Sequence, residues 1–262
     1  MDRKRVIGSA TISAWRNAAV FLGTALVVLV LAAPAAYPAE PEPPCRIPDA
    51  LALKDISLPA AKSAAATDKR LVVLTFGGVR PNGVVADLGN ASFPARLSAE
   101  LGAALPQIEV KVANEPPPGK TSSDVPAALP GLIAKTGAKL VIWGPGGRDM
   151  MARIDLGVFA EAIKGGIAAA RDSGADLILM DTAFLPAPNR MEMIEPYRER
   201  VLSAAEADHV PLLRRHGLML GWSQDGTLDL AVREPADRQL VAGRLFSCVA
   251  QSLAAPIAAA VR

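Results

Sequence analysis

Two arginines carry the most legible chemistry in this chain. Arg80 and Arg148 each follow an apolar run that ends in glycines, Phe76-Gly77-Gly78 before the first and Gly144-Pro145-Gly146-Gly147 before the second. A guanidinium offers a planar fork of donors, and glycine lets backbone amides come close to a ligand. Together they fit a site for a carboxylate, sulfate or phosphate. The same residues also fit two arginines paired with carboxylates such as Asp87 and Asp149, or turned to solvent. Nucleophilic chemistry is not on offer here, because residues 77–83 read Gly-Gly-Val-Arg-Pro-Asn-Gly and none of these side chains attacks a carbonyl. The two histidines, His209 and His216, flank one short apolar run and read as loop or surface residues. Ser92, Ser122, Ser123 and Ser223 fall in loops or at helix starts, where serine usually caps. No His, Cys and Asp residues recur at metal-ligand spacing, so neither a metal nor a cofactor is expected.

These residues need a frame. Apolar runs at 71–76, 108–112, 140–143, 177–180 and 210–213 have the length and composition of buried strands. Between them, 93–105, 124–136, 155–173 and 191–207 have helical spacing, and a last helix spans 235–261. Asp124 and Asp155 are suitable caps for two of these helices. Strands that alternate with helices, and show no polar alternation of their own, predict a parallel sheet covered on both faces. The expected fold is a three-layer α/β/α sandwich, flavodoxin-like, with five strands and with 71–76 near the centre. No internal repeat and no second domain is visible.

The start of the chain reads differently. Asp2-Arg3-Lys4-Arg5 and Arg16 precede a weakly polar to apolar stretch at 18–31, and Ala33-Pro34-Ala35 supplies a small-x-small cleavage site. This pattern predicts a secretory signal peptide over 1–35 and export to the periplasm or medium. An uncleaved membrane anchor is the alternative if the apolar stretch is counted further, against which Pro34 and Pro38 argue. A Pro/Glu-rich linker and an N-terminal arm with a short helix follow over 36–68, and the folded domain is expected over 69–262. Loss of 1–35 takes four of the 28 basic residues and one of the 26 acidic ones, leaving 24 against 25. A near-neutral chain lacks the basic face that nucleic acid requires. The two cysteines, Cys45 and Cys248, form an even set in an exported chain, which predicts a disulfide between arm and last helix; two buried thiols are the alternative.

Four blocks in order resemble the SGNH/GDSL hydrolase superfamily, from about Leu71 to the C-terminus. The family's first block, with its nucleophilic serine, falls on Gly77-Gly78-Val79-Arg80 and ends at Gly83. The second falls on Asn114 with Gly119-Lys120-Thr121, the third on Gly146-Gly147-Arg148-Asp149, and the last on Asp225-Gly226-Thr227-Leu228. The resemblance implies that the serine position is Val79, the oxyanion-hole asparagine is Arg148 and the histidine is Leu228, with only Gly119 and Asp225 retained. Val79 has no group to deprotonate and Leu228 takes no proton, so neither half of the serine–histidine unit is present. It also implies that Arg80 and Arg148 follow adjacent strands, beside the amides of Gly78 and Gly119. The expectation is an exported, catalytically inactive protein that holds a small anion, a glycan or a protein partner in the former active-site crevice. A weak or re-purposed esterase and a structural envelope component are the alternatives.

Overall fold

The computed structural model describes residues 45–77, 88–115 and 121–262. The signal and linker segments, and the site positions Gly78, Val79, Arg80 and Gly119, lie outside the described residues.

The described chain forms a five-stranded parallel sheet in the order β2-β1-β3-β4-β5. The strands are β1 (Arg70–Gly77), β2 (Glu109–Asn114), β3 (Leu140–Gly144), β4 (Asp176–Met180) and β5 (Leu212–Leu213). As the apolar run predicts, β1 is internal, between β2 and β3, and six consecutive residues in it are buried. Edge strand β2 is instead half exposed along its length. The apolar run at 210–213 yields a strand of only two residues, because Pro211 has no N–H to give to the ladder. Its carbonyl still accepts from the Leu179 amide at 2.9 Å.

Successive side chains of a strand point to opposite faces, so the sheet builds two cores. Leu71, Val73, Leu140, Ile142, Ile178 and Met180 face the first. Helices α1 (Pro59–Thr67), α2 (Phe93–Ala104), α7 (Arg215–Gln224) and α8 (Pro235–Val261) cover it. Val72, Leu74, Phe76, Val141, Trp143 and Leu179 face the second, under α3 (Val125–Thr136), α4 (Gly147–Ala152), α5 (Leu156–Asp172) and α6 (Pro188–Ala207). This is the three-layer sandwich. Asp155 caps α5 by accepting from the amides of Gly157 and Val158, at 2.8 and 3.1 Å. Asp124 makes no such bond to α3; its carboxylate turns back to the Thr121 amide at 3.1 Å.

Residues 45–68 are tied to the domain at several points. Leu58, Ala61 and Ala65 are buried in the first core, and the Trp222 indole N–H donates to the Arg46 carbonyl at 2.7 Å. Cys45 and Cys248 are disulfide-bonded with Cα atoms 5.2 Å apart, fixing the arm to α8. The bridge spans 203 residues and so constrains most of the unfolded chain. Replacing both cysteines by alanine is expected to lower unfolding free energy by about 2–4 kcal/mol, read from urea denaturation of the oxidised and variant proteins.

Candidate functional site: the crevice at the strand ends

In an open parallel sheet, ligands sit at the carboxyl ends of the strands. Here the central pair of ends is held together by glycine. Gly77 closes β1 at φ +73° and lies opposite Gly144 of β3; a Cβ on Gly77 would come within 2.6 Å of the Gly144 carbonyl oxygen. No other residue suits both the left-handed backbone and the close approach. Gly146, at φ +103°, opens α4 with a Cβ position 2.8 Å from the Thr182 methyl, so the turn after β3 sits directly against the residue pair after β4.

Asp149 is the organiser of this floor. Its side chain is 2% exposed and accepts three hydrogen bonds. They come from the Ser122 amide at 2.7 Å, the Ser122 hydroxyl at 2.9 Å and the Gly146 amide at 3.0 Å. One carboxylate therefore caps α4 and binds the loop after β2 to the turn after β3. Ser122 does not cap a helix; its buried hydroxyl serves this junction. Arg148, one residue earlier, points out at the end of β3 and forms no ion pair with any described carboxylate. Asp149 is thus committed to Ser122 and Gly146 and not to Arg148.

The last block is arranged for packing. Leu228 is 3% exposed and lies in the first core with Leu218, Trp222 and Leu245, its amide donating to the Trp222 carbonyl at 2.9 Å. Asp225 is exposed after α7. It accepts from the Thr227 hydroxyl at 2.6 Å and the Thr227 amide at 3.0 Å, bonds that hold its carboxyl below the ordinary range. The Asp225 carboxylate thus closes its own turn. Both histidines flank β5. His209 is exposed in the loop before β5, at φ +52°. His216 begins α7 beyond β5, three strand positions from β1, on the order of 14 Å across the sheet.

A second polar cluster, which the sequence reading passes over, lies at the ends of β4 and β5. Asp181 is 1% exposed; its carboxylate accepts from the His216 amide at 2.8 Å, and its carbonyl from the buried Arg215 guanidinium at 2.6 Å. Burial pushes the Asp181 carboxyl up to about 6 and the Arg215 guanidinium down to about 10, each opposed by the other's charge. His216 is half buried, not a surface residue, with its ring edge-on to Phe184. Burial, then the positive charge of Arg198, lowers its pKa below the ordinary imidazole value. The signal was present in charged residues placed directly after two apolar strands, Asp181 after β4 and Arg214-Arg215-His216 after β5.

The described domain coincides with a family match. Residues 44–262 match the model of the non-GDSL lipase-like family. The chain belongs to that family. Solved structures share the fold of this non-GDSL lipase-like protein at low identity. TesA matches at 21% identity and a TM-score of 0.53, over 70% of this chain and 97% of its own. A lipase/acylhydrolase from Enterococcus faecalis matches at 17% and 0.52, over 69% and 95%. The acetyl xylan esterase AlAXEase matches at 12% and 0.54, over 68% and 100%. No curated protein matches the chain. The non-GDSL lipase-like domain thus has the SGNH/GDSL hydrolase fold.

Proposed function

We propose that this chain is an exported, catalytically silent relative of the SGNH/GDSL esterases, and that its crevice binds a small anion or an anionic glycan. The burial of Leu228 carries the reading. The place of the general base is filled by a core side chain, and both histidines lie elsewhere. Val79 at the nucleophile position and Arg148 at the oxyanion asparagine support the same conclusion from sequence. Arg148, exposed at the end of β3 and unengaged by any described carboxylate, supports anion binding together with Arg80 and the amides of Gly78 and Gly119. The disulfide and the signal-like start support export.

Hydrolysis of short acyl esters by the wild-type protein is expected to stay at background, and Val79→Ser alone is expected to leave it there. Such a serine still lacks a base and an asparagine at position 148. Phosphate, sulfate and carboxylates are expected to raise the melting temperature of the wild type, and Arg148→Ala to weaken the best of them by about tenfold or more, the equivalent of one charge-assisted contact. Ester turnover abolished by a serine-directed fluorophosphonate would overturn the silent reading. Anion shifts indifferent to Arg148→Ala would remove the binding site.

A further inference from the structure

The described domain holds its sulfur in three kinds of place. Both cysteines are joined, so the oxidisable sulfur left among the described residues is in thioethers. Met150, Met180 and Met219 are buried in the cores, none more than 8% exposed. Met191 is partly buried, and its Sδ accepts from the Leu185 amide at 3.3 Å, which engages a lone pair that an oxidant must reach. The other two thioethers face solvent. Met193 on α6 is 47% exposed, and Met151 on α4 is 76% exposed.

Met151 also lies beside Arg148. Asp149 and Met150 are buried beneath α4, so Arg148 and Met151 share its outer face at i, i+3 spacing. Side chains so spaced are neighbours, with Cβ atoms about 5–6 Å apart. A thioether gives the guanidinium little to bind, because its sulfur is a weak acceptor. A sulfoxide is polar and presents an oxygen. No ion pair to a described carboxylate holds Arg148 away from it.

We infer that Met151 is an oxidation site, converted by hydrogen peroxide to its sulfoxide ahead of the other described methionines, and that the sulfoxide oxygen accepts from the Arg148 guanidinium. The sulfur gives an electron pair to one peroxide oxygen. The O–O bond breaks, an S–O bond forms, and the second oxygen leaves as water with both protons. Sulfur is oxidised by two electrons and the peroxide is reduced by two. Methionine sulfoxide reductases reverse such a step. The oxidised side chain competes with an anion for Arg148; this competition rests on the anion reading of the crevice, and the oxidation site does not.

The test begins with peptide mapping by mass spectrometry after graded hydrogen peroxide, on the folded, disulfide-bonded protein and on the same protein in urea. In the folded protein Met151 is expected to react first and Met193 next, with Met150, Met180 and Met219 at least about tenfold slower; in urea the differences should collapse. Calorimetric titration with inorganic phosphate then compares untreated wild type, wild type converted at Met151, and Met151→Leu given the same dose. Conversion is expected to weaken phosphate by about twofold, the worth of one exposed pair at this spacing, and the dose should leave Met151→Leu unchanged. Met151 reacting no faster than the buried methionines overturns the inference. So does phosphate affinity that full conversion of Met151 leaves unchanged, or that falls equally in Met151→Leu. An untreated wild type that binds no phosphate removes the crevice reading and the competition with it, while the peptide map still decides the oxidation site.

Discussion

Asp149→Ala is expected to lower unfolding free energy by on the order of 3–5 kcal/mol, a large share of the 5–15 kcal/mol typical of a domain. The deletion strands three buried donors at once: the amide and hydroxyl of Ser122 and the amide of Gly146. Each loses a bond to a charged acceptor, and no apolar replacement satisfies it. Asp149→Asn keeps one carbonyl oxygen and should cost less, about half as much, since an amide nitrogen then meets an N–H where Oδ2 accepted two bonds. Urea unfolding of the three proteins measures the order. A local readout separates this role from bulk stability: hydrogen exchange at Ser122 and Gly146 should accelerate more than exchange in β1 or β3, because Asp149 ties the two loops and not the strands. An Asp149→Ala protein as stable as wild type would mean that other groups hold the crevice floor.

The centre of the sheet was legible because β1, β3 and β4 are buried on both faces. The runs at 71–76 and 140–143 carry no polar alternation, and the structure uses alternate residues of each to fill two separate cores. The cap at Asp155 was legible from one residue type before an amphipathic run. Helices α4 and α7 were not. The first is six residues opened by Gly147, too short for a period to show. The second starts within two residues of β5, and its buried face, Leu218, Met219 and Trp222, is preceded by Arg215 and His216 that read as loop. That helix matters for the site, since it is what carries Arg215 and His216 back against Asp181. The role of Asp149 was legible only as an ion-pair partner for an arginine. A contact to Ser122, 27 residues earlier, depends on the adjacency of loops that local spacing does not encode. Burial of Leu228 likewise depends on α7 and α8 closing over it.

Arg215→Met is expected to destabilise the protein by about 3–5 kcal/mol at pH 7 and by clearly less near pH 4. At pH 7 the substitution leaves Asp181 ionised, 1% exposed and without the guanidinium that opposes its burial. Near pH 4 the carboxyl is protonated in the folded state, because burial has pushed it from 3.8 to about 6. The sign follows from linkage. Between these values the folded chain binds a proton that the unfolded chain has released, so stability from that proton is full below pH 3.8 and is lost as pH rises through about 6. Wild type should therefore lose on the order of 2–3 kcal/mol across this window relative to Asp181→Asn, which does not titrate. The doubly substituted Asp181→Asn, Arg215→Met protein should be more stable at pH 7 than the two single losses added together, because a buried charge is left alone in one single variant or the other but never in the double. Unfolding free energies of the four proteins at pH 4, 5, 6 and 7 measure the coupling directly. Strict additivity at pH 7, or a wild type and Asp181→Asn that track each other from pH 4 to 7, would show that Asp181 and Arg215 are held by their backbone bonds alone and not by each other's charge.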